Sequence, residues 1–411
     1  MHTLGVLGLR LRRLPATIQV LVLGTFVNNL GMMITPYLTL VLAKRLFFSP
    51  AEIGNVFGVY GVGGLLAVVL GGRLSDALGR RMTLFLSMSG AGALAVSLPW
   101  VISFKAGFLI AVFFLGLLTE SFRPVSSALI ADFIAPDERQ FAFSSMRVAA
   151  ACGGLLGVSA GGTLFELKWA WIFYLDGATS LAFGLVALLF MRDCRPKENT
   201  KAIPDFDPRS STRNILKNQY VAILLALFAN LCLAFVYVTY STVLPLAITS
   251  QGVYDGHMVG ALLAINPLLI LIAELPLIHH VSKYRRLKIA ALGSALVGMG
   301  LGMSGLGKHW SWFALTISLW TLGEILALPQ IMSFIMDQAP GNRRGTVIGF
   351  YSMTWRLAFI FGPMVLVNLF YSLPARIFWW MLPLAVLPSV FILFLLNYRF
   401  EVERFTPRRA I

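Results

Sequence analysis

Long apolar runs alternate with short polar stretches along the whole chain. Read by apolar length, twelve runs fall at 16–40, 53–72, 82–102, 107–133, 141–164, 170–191, 220–248, 257–281, 287–306, 311–337, 345–371 and 376–397. An α-helix needs about 20 apolar residues to cross the hydrocarbon of a bilayer, and it satisfies its own backbone there. The pattern therefore predicts an all-α membrane protein with twelve transmembrane helices. The longest polar interruption, 192–218, is rich in Lys, Arg, Asp and Pro. It divides the chain into a six-helix bundle at 1–191, a cytoplasmic basic linker at 192–218, a second six-helix bundle at 219–398 and a cytoplasmic tail at 399–411.

Composition agrees with this pattern. The 411 residues are 58% hydrophobic and only 12% charged, against about 25% charged in soluble domains. The net charge of +15 could signify nucleic acid, but the basic residues sit in the gaps between apolar runs. Placing alternate gaps on one side collects about 24 of the 33 Lys and Arg residues. The opposite gaps hold Lys44, Arg45, Lys105, Lys168, Lys308 and Arg376. By the positive-inside rule both termini lie in the cytoplasm, and no nucleic-acid partner is expected. Arg10, Arg12 and Arg13 precede the first run as in a signal peptide. That run outlasts a signal core and has no clear cleavage site, so it is read as the first helix.

Enzyme chemistry is not expected. Cys152, Cys194 and Cys232 have no metal spacing, and the histidines at 2, 257, 279, 280 and 309 form no ligand pattern. The absence of a Gly-x-x-x-x-Gly-Lys-Ser/Thr loop argues against ATP as the energy source. No cofactor and no metal are predicted; the partners expected are the bilayer, a small molecule and protons.

One polar stretch carries a motif. Gly72-Arg-Leu-Ser-Asp76-Ala-Leu-Gly79-Arg80-Arg81 joins the second and third runs. Its glycines permit a tight turn, and its carboxylate and guanidiniums sit where charge must be paired or wet. The stretch resembles the loop between helices two and three of the major facilitator superfamily, with Ala77 in place of the usual basic residue. The resemblance implies two pseudo-symmetric six-helix bundles working by alternating access. It also implies that Asp76 and Arg80 latch to Asp132, the acid closing the fourth run.

The two halves repeat each other. Thr119-Glu120, Pro124, Asp132, Pro136 and Arg139 recur as Gly323-Glu324, Pro329, Asp337, Pro340 and Arg343, which is the mark of a duplicated transporter. The motif itself has only an echo at Ser282-Lys-Tyr-Arg285-Arg286, which lacks the aspartate and both glycines. Gly153, Gly157, Gly161 and Gly162 in the fifth run resemble the signature of drug:proton antiporters, with Val158 in the proline's place. Gly362-Pro363 is the counterpart in run eleven. Small residues one turn apart let helices approach closely, and ordinary packing explains the same residues.

Charges inside apolar runs point to function, because an unpartnered one costs several kcal/mol. Glu120 and Arg123 share a helix face, and Arg147 in run five is placed to reach the same cavity. Glu324 follows a Thr-Leu-Gly stretch resembling helix ten of multidrug antiporters, with Arg356 as a candidate partner, and Glu274 lies near Pro276. These residues are proton-coupling candidates; permanent ion pairs stapling helices are the competing reading. Asn28, Asn29, Tyr37, Tyr60, Asn230, Tyr237, Tyr240, Asn266, Trp320 and Trp355 are candidates to line a substrate cavity, a set suited to amphipathic and cationic solutes. The sequence thus favours a monomeric proton-coupled exporter in the inner membrane. A lipid flippase, a metabolite importer and a membrane sensor remain alternatives.

Overall fold

In the computed structural model, residues 14–31, 33–134, 138–191, 213–250, 254–339 and 344–401 are described. The expected N-terminal basic segment, most of the basic linker and most of the tail lie outside these residues. Twelve helices are long and apolar enough to cross a membrane, and the described residues include no strand. They are α1 Ala16–Arg45, α2 Pro50–Val68, α3 Arg80–Val101, α4 Lys105–Ile130, α5 Phe141–Lys168 and α6 Ala170–Phe190. The second set is α7 Gln219–Ser250, α8 Gly256–Val281, α9 Arg286–Met303, α10 Trp310–Gln338, α11 Thr346–Ser372 and α12 Ala375–Phe400. Each coincides with one predicted run to within several residues.

Packing repeats as the sequence does. The first helix of each half, α1 or α7, packs on the fifth and sixth of its own half. Likewise α3 packs on α4 and α6, as α9 packs on α10 and α12. The chain forms two compact units, Met1–Glu198 with Ile248–Leu271, and Asn199–Ala247 with Ile272–Ile411. The first half of α8 thus belongs with the opening helices, across the 192–218 boundary read from sequence, and Asn266 goes with it.

Three contacts explain that exchange. Gly162 lies so close to α8 that a Cβ there would stand 2.3 Å from the Gly256 carbonyl oxygen. Glu166 accepts from the Gly256 amide at 2.7 Å and pairs with Arg45 at 3.1 Å. Lys44 Nζ donates to the Thr249 carbonyl at 2.7 Å. Lys44 and Arg45, read from sequence as loop residues, instead close α1 in a wide π-helical turn, Val41–Arg45. Asp255 caps α8 by accepting from the Met258 amide at 3.1 Å. That bond, with His257 beside it, holds the Asp255 carboxyl below its usual pKa.

The glycine stripe of α5 is a docking face. A Cβ at Gly153 would meet the Phe26 carbonyl at 2.3 Å, and one at Gly157 the Leu30 carbonyl at 2.4 Å. Backbone cannot step aside as a flexible side chain does, so these positions admit α1 only without side chains. Gly154, one residue along, has nothing within 4 Å of its Cβ position. We expect Gly157→Leu to destabilise the protein by about 2–3 kcal/mol, at the upper end of overpacking costs, and Gly154→Leu to be near neutral. Thermal melts of the two purified variants measure this; equal melting points would show that the stripe is not a close-packed face.

Candidate functional site

The motif between α2 and α3 forms as a compact ion cluster. The α2 helix continues beyond its membrane span to Leu78 and carries Gly72 and Asp76. Gly79 then turns the chain at φ 86°, ψ 157°, a left-handed-side conformation that favours glycine. The turn aims Arg80 back at the end of α2 and at the end of α4. Its guanidinium donates to Asp76 at 2.6 Å, to Ser75 at 2.8 Å and to Asp132 at 3.2 Å. The Arg80 side chain is only 10% exposed, whereas Asp76 is 64% exposed. Arg80 is therefore the hub, and the carboxylates are its wetter partners. The neighbouring Arg81 leaves its buried Nε without a hydrogen bond.

The degenerate echo in the second half builds the same bridge. Arg286 pairs with Asp337 at 2.5 Å and reaches Ser333 at 3.4 Å. What repeats is an arginine opening the third helix and an acid closing the fourth. The glycines and the preceding aspartate are dispensable for that contact.

The acids within the spans separate in character. Helix α4 breaks at Ser121, between segments Lys105–Glu120 and Phe122–Phe133. Pro124 explains the break, because it lacks an amide for the carbonyl of Glu120 four residues earlier. Glu120 is buried, while the Arg123 side chain is 74% exposed at a loose 3.6 Å from it. Arg147 is exposed on α5. Glu274 is half-buried on α8 beside Pro276.

In the second unit the predicted aromatic residues converge on Glu324. Its carboxylate is hydrogen-bonded by the Tyr237 hydroxyl and lies close to Tyr240. Tyr237 makes edge contacts with Trp320 at 5.6 Å and Trp355 at 5.3 Å, and Tyr240 lies 4.7 Å from Trp320. Buried Arg356 follows Trp355 on α11. Two turns down α7, Asn230 Nδ2 donates to Thr354 Oγ1 at 2.7 Å, tying α7 to α11. Its Oδ1 and the Trp320 Nε1 are buried without hydrogen-bond partners. The α11 pair Gly362-Pro363 packs near α7, with Val238 at 3.3 Å from the Gly362 Cβ position. Tyr237 and Tyr240 beside the carboxylate, with Trp320 and Trp355 packed on them, form a box that favours cations and flat amphipathic groups.

Of the candidates in the first unit, Tyr37 is corrected. It is fully buried, its hydroxyl donates to the Val158 carbonyl at 2.9 Å, and its ring packs at Gly161. It anchors α1 to α5. Asn29 donates to the Thr25 carbonyl of its own helix at 2.8 Å. Asn28 and Tyr60, by contrast, line a small cavity that also contains Asp176 of α6. Sequence reading passed over Asp176. The signal was present, since it is the sole charged residue in the predicted 170–191 run.

The comparisons with known proteins fit this geometry. The model for the Major Facilitator Superfamily matches residues 21–363. The uncharacterized MFS-type transporter YqjV of Bacillus subtilis (strain 168) is 22% identical over 84% of both chains. The puromycin resistance protein pur8 of Streptomyces alboniger is 35% identical over 32% of this chain and 26% of its own. A POT family transporter crystallised with a thioalcohol-conjugated peptide superposes with a TM-score of 0.78 at 15% identity, covering 95% of this chain and 99% of its own; at that identity the likeness is one of fold. The twelve helices, the duplicated packing and the Asp76–Arg80–Asp132 cluster are thus those of a multi-pass membrane transporter, not an enzyme, and the chain belongs to the Major Facilitator Superfamily.

Proposed function

We propose that the protein is a proton-coupled exporter of small amphipathic molecules, acting as a monomer in the cytoplasmic membrane with both termini in the cytoplasm. The observation that carries this reading is Glu324 bound by Tyr237 within the Tyr240, Trp320 and Trp355 box. Ionised, the carboxylate attracts a cationic or amphipathic solute to the rings. Protonated, it loses that attraction and releases the solute, so one group exchanges proton for substrate. Two six-helix bundles rocking by alternating access would present this site to each side in turn. The Arg80 and Arg286 bridges each lie within one half, where they hold the cytoplasmic helix ends that such rocking would carry. The resistance named for pur8 agrees with export of a compound of this class.

A second reading, a lipid-like substrate, is favoured by an apolar hollow of the second unit. It has about 350 Å³ open to water-sized molecules and is lined by Leu231, Phe235, Leu357 and Phe361 among others.

The test is proton flux in vesicles reconstituted with purified protein, read by an internal pH dye while cationic, neutral and lipid-like solutes are added. Solute-triggered proton release from acid-loaded vesicles is the expected result. Solute movement with a silent dye would remove proton coupling, and movement of lipid-like solutes alone would favour the second reading.

A further inference from the structure

We propose that the cavity around Asp176 is a sodium site within the first unit. Six oxygen-bearing side chains line it: Asn28 and Thr35 of α1, Tyr60 of α2, Thr119 of α4, and Asp176 and Ser180 of α6. About 30 Å³ of it is open to water-sized molecules. A single water needs roughly 10–15 Å³ by this measure, so the space takes one ion with a water. An organic solute needs several hundred Å³ and does not fit.

The donor set narrows the occupant. Carboxylate, amide and hydroxyl oxygens are hard ligands, matched to alkali and alkaline-earth cations. No group of three His, Cys, Asp or Glu side chains able to hold a metal gathers among the described residues, so a transition-metal centre has no ligands here. Asp176 brings the one formal charge. A monovalent cation neutralises it, whereas a divalent ion would leave a net positive charge enclosed in a low-dielectric bundle.

Asp176 also needs a partner. It is half-buried and borders this cavity. The Thr179 hydroxyl donates to its backbone carbonyl at 2.9 Å; no donor or cation among the described residues bonds its carboxylate. A proton alone would neutralise the acid, but it would give no reason for five further oxygen-bearing side chains on four helices to line the same small space. Ser180 Oγ lies 3.4 Å from Asn28 Oδ1, a contact long enough for both oxygens to turn to an ion.

Four helices meet at the site, so an ion there ties α1, α2, α4 and α6 together. The inference goes beyond the proton step at Glu324 and is independent of it: Glu324→Gln should bind sodium as the parent does. The experiment is thermal unfolding of the purified full chain in NaCl, KCl or choline chloride at constant ionic strength. Sodium is expected to raise the melting point saturably, choline not at all, and Asp176→Asn to lose the sodium-dependent rise. Thr119→Val removes one neutral oxygen and should raise the half-saturating sodium concentration about tenfold. It decides the matter if Asp176→Asn does not fold. A melting point indifferent to sodium overturns the proposal; so does one that rises on acidification alone, which would make Asp176 a proton site. An unchanged half-saturation in Thr119→Val overturns it as well.

Discussion

Arg80→Ala is expected to reduce transport at least tenfold while the protein still inserts and purifies. Arg80 is nearly buried and bonds Ser75, Asp76 and Asp132 together, so its loss unties the α2–α3 turn from the end of α4. Exposed ion pairs are worth about 0–1 kcal/mol; removing one partner of a buried pair costs about 3–5 kcal/mol. The cluster lies between, because its arginine is buried and its carboxylates are wet. A change of about 1.5–3 kcal/mol shifts a two-state equilibrium by roughly ten- to 150-fold, enough to strand an alternating-access cycle. Arg80→Lys keeps the charge but not the fork, so partial activity is expected. Asp76→Asn, which weakens one arm, should also stop transport with insertion intact. Arg286→Ala should be milder, because its bridge stands on a half-exposed Asp337 without a preceding aspartate. Solute flux in vesicles, with melting points as a control for folding, measures all four. Normal flux in Arg80→Ala would reduce the cluster to a surface ornament.

Glu324→Gln is expected to abolish uphill transport, to less than about a tenth of the parent, while leaving solute exchange down a gradient. Glutamine has the same shape and still accepts from Tyr237, so the aromatic box should stay packed. It cannot take up or release a proton, and the charge that alternates in the proposed cycle is gone. Separate assays of proton-driven accumulation and of counterflow distinguish this from simple unfolding, which would remove both. Unchanged accumulation in Glu324→Gln and in Glu120→Gln would exclude both acids from coupling. Glu120 is the weaker candidate, since it already pairs with a solvent-facing Arg123.

Much of this was legible in one dimension. A bilayer forces long apolar helices, so twelve runs of sufficient length determined twelve spans, and short loops constrained their order. The Arg80 cluster was legible because it is local: a glycine turn places residues four apart beside each other, and Asp132 closes the adjoining helix. Glu324 and its rings were legible as types, since acids and tyrosines stand out against Leu and Ala. Only the tertiary structure decided which polar groups meet. Tyr37 and Tyr60 are both tyrosines in apolar runs, yet Tyr37 is spent on a backbone carbonyl of α5 while Tyr60 opens on a cavity. Asp176 became a candidate only when α1, α2 and α4 brought four oxygen-bearing side chains to it. The first half of α8 joined the opening helices through Gly162, Glu166 and Lys44, none of which signals that contact in sequence. Hydrophobic length is a property of the chain in lipid, whereas convergence of side chains depends on helix rotation and approach. Those are set by close packing at glycines such as Gly157, which a linear pattern does not contain.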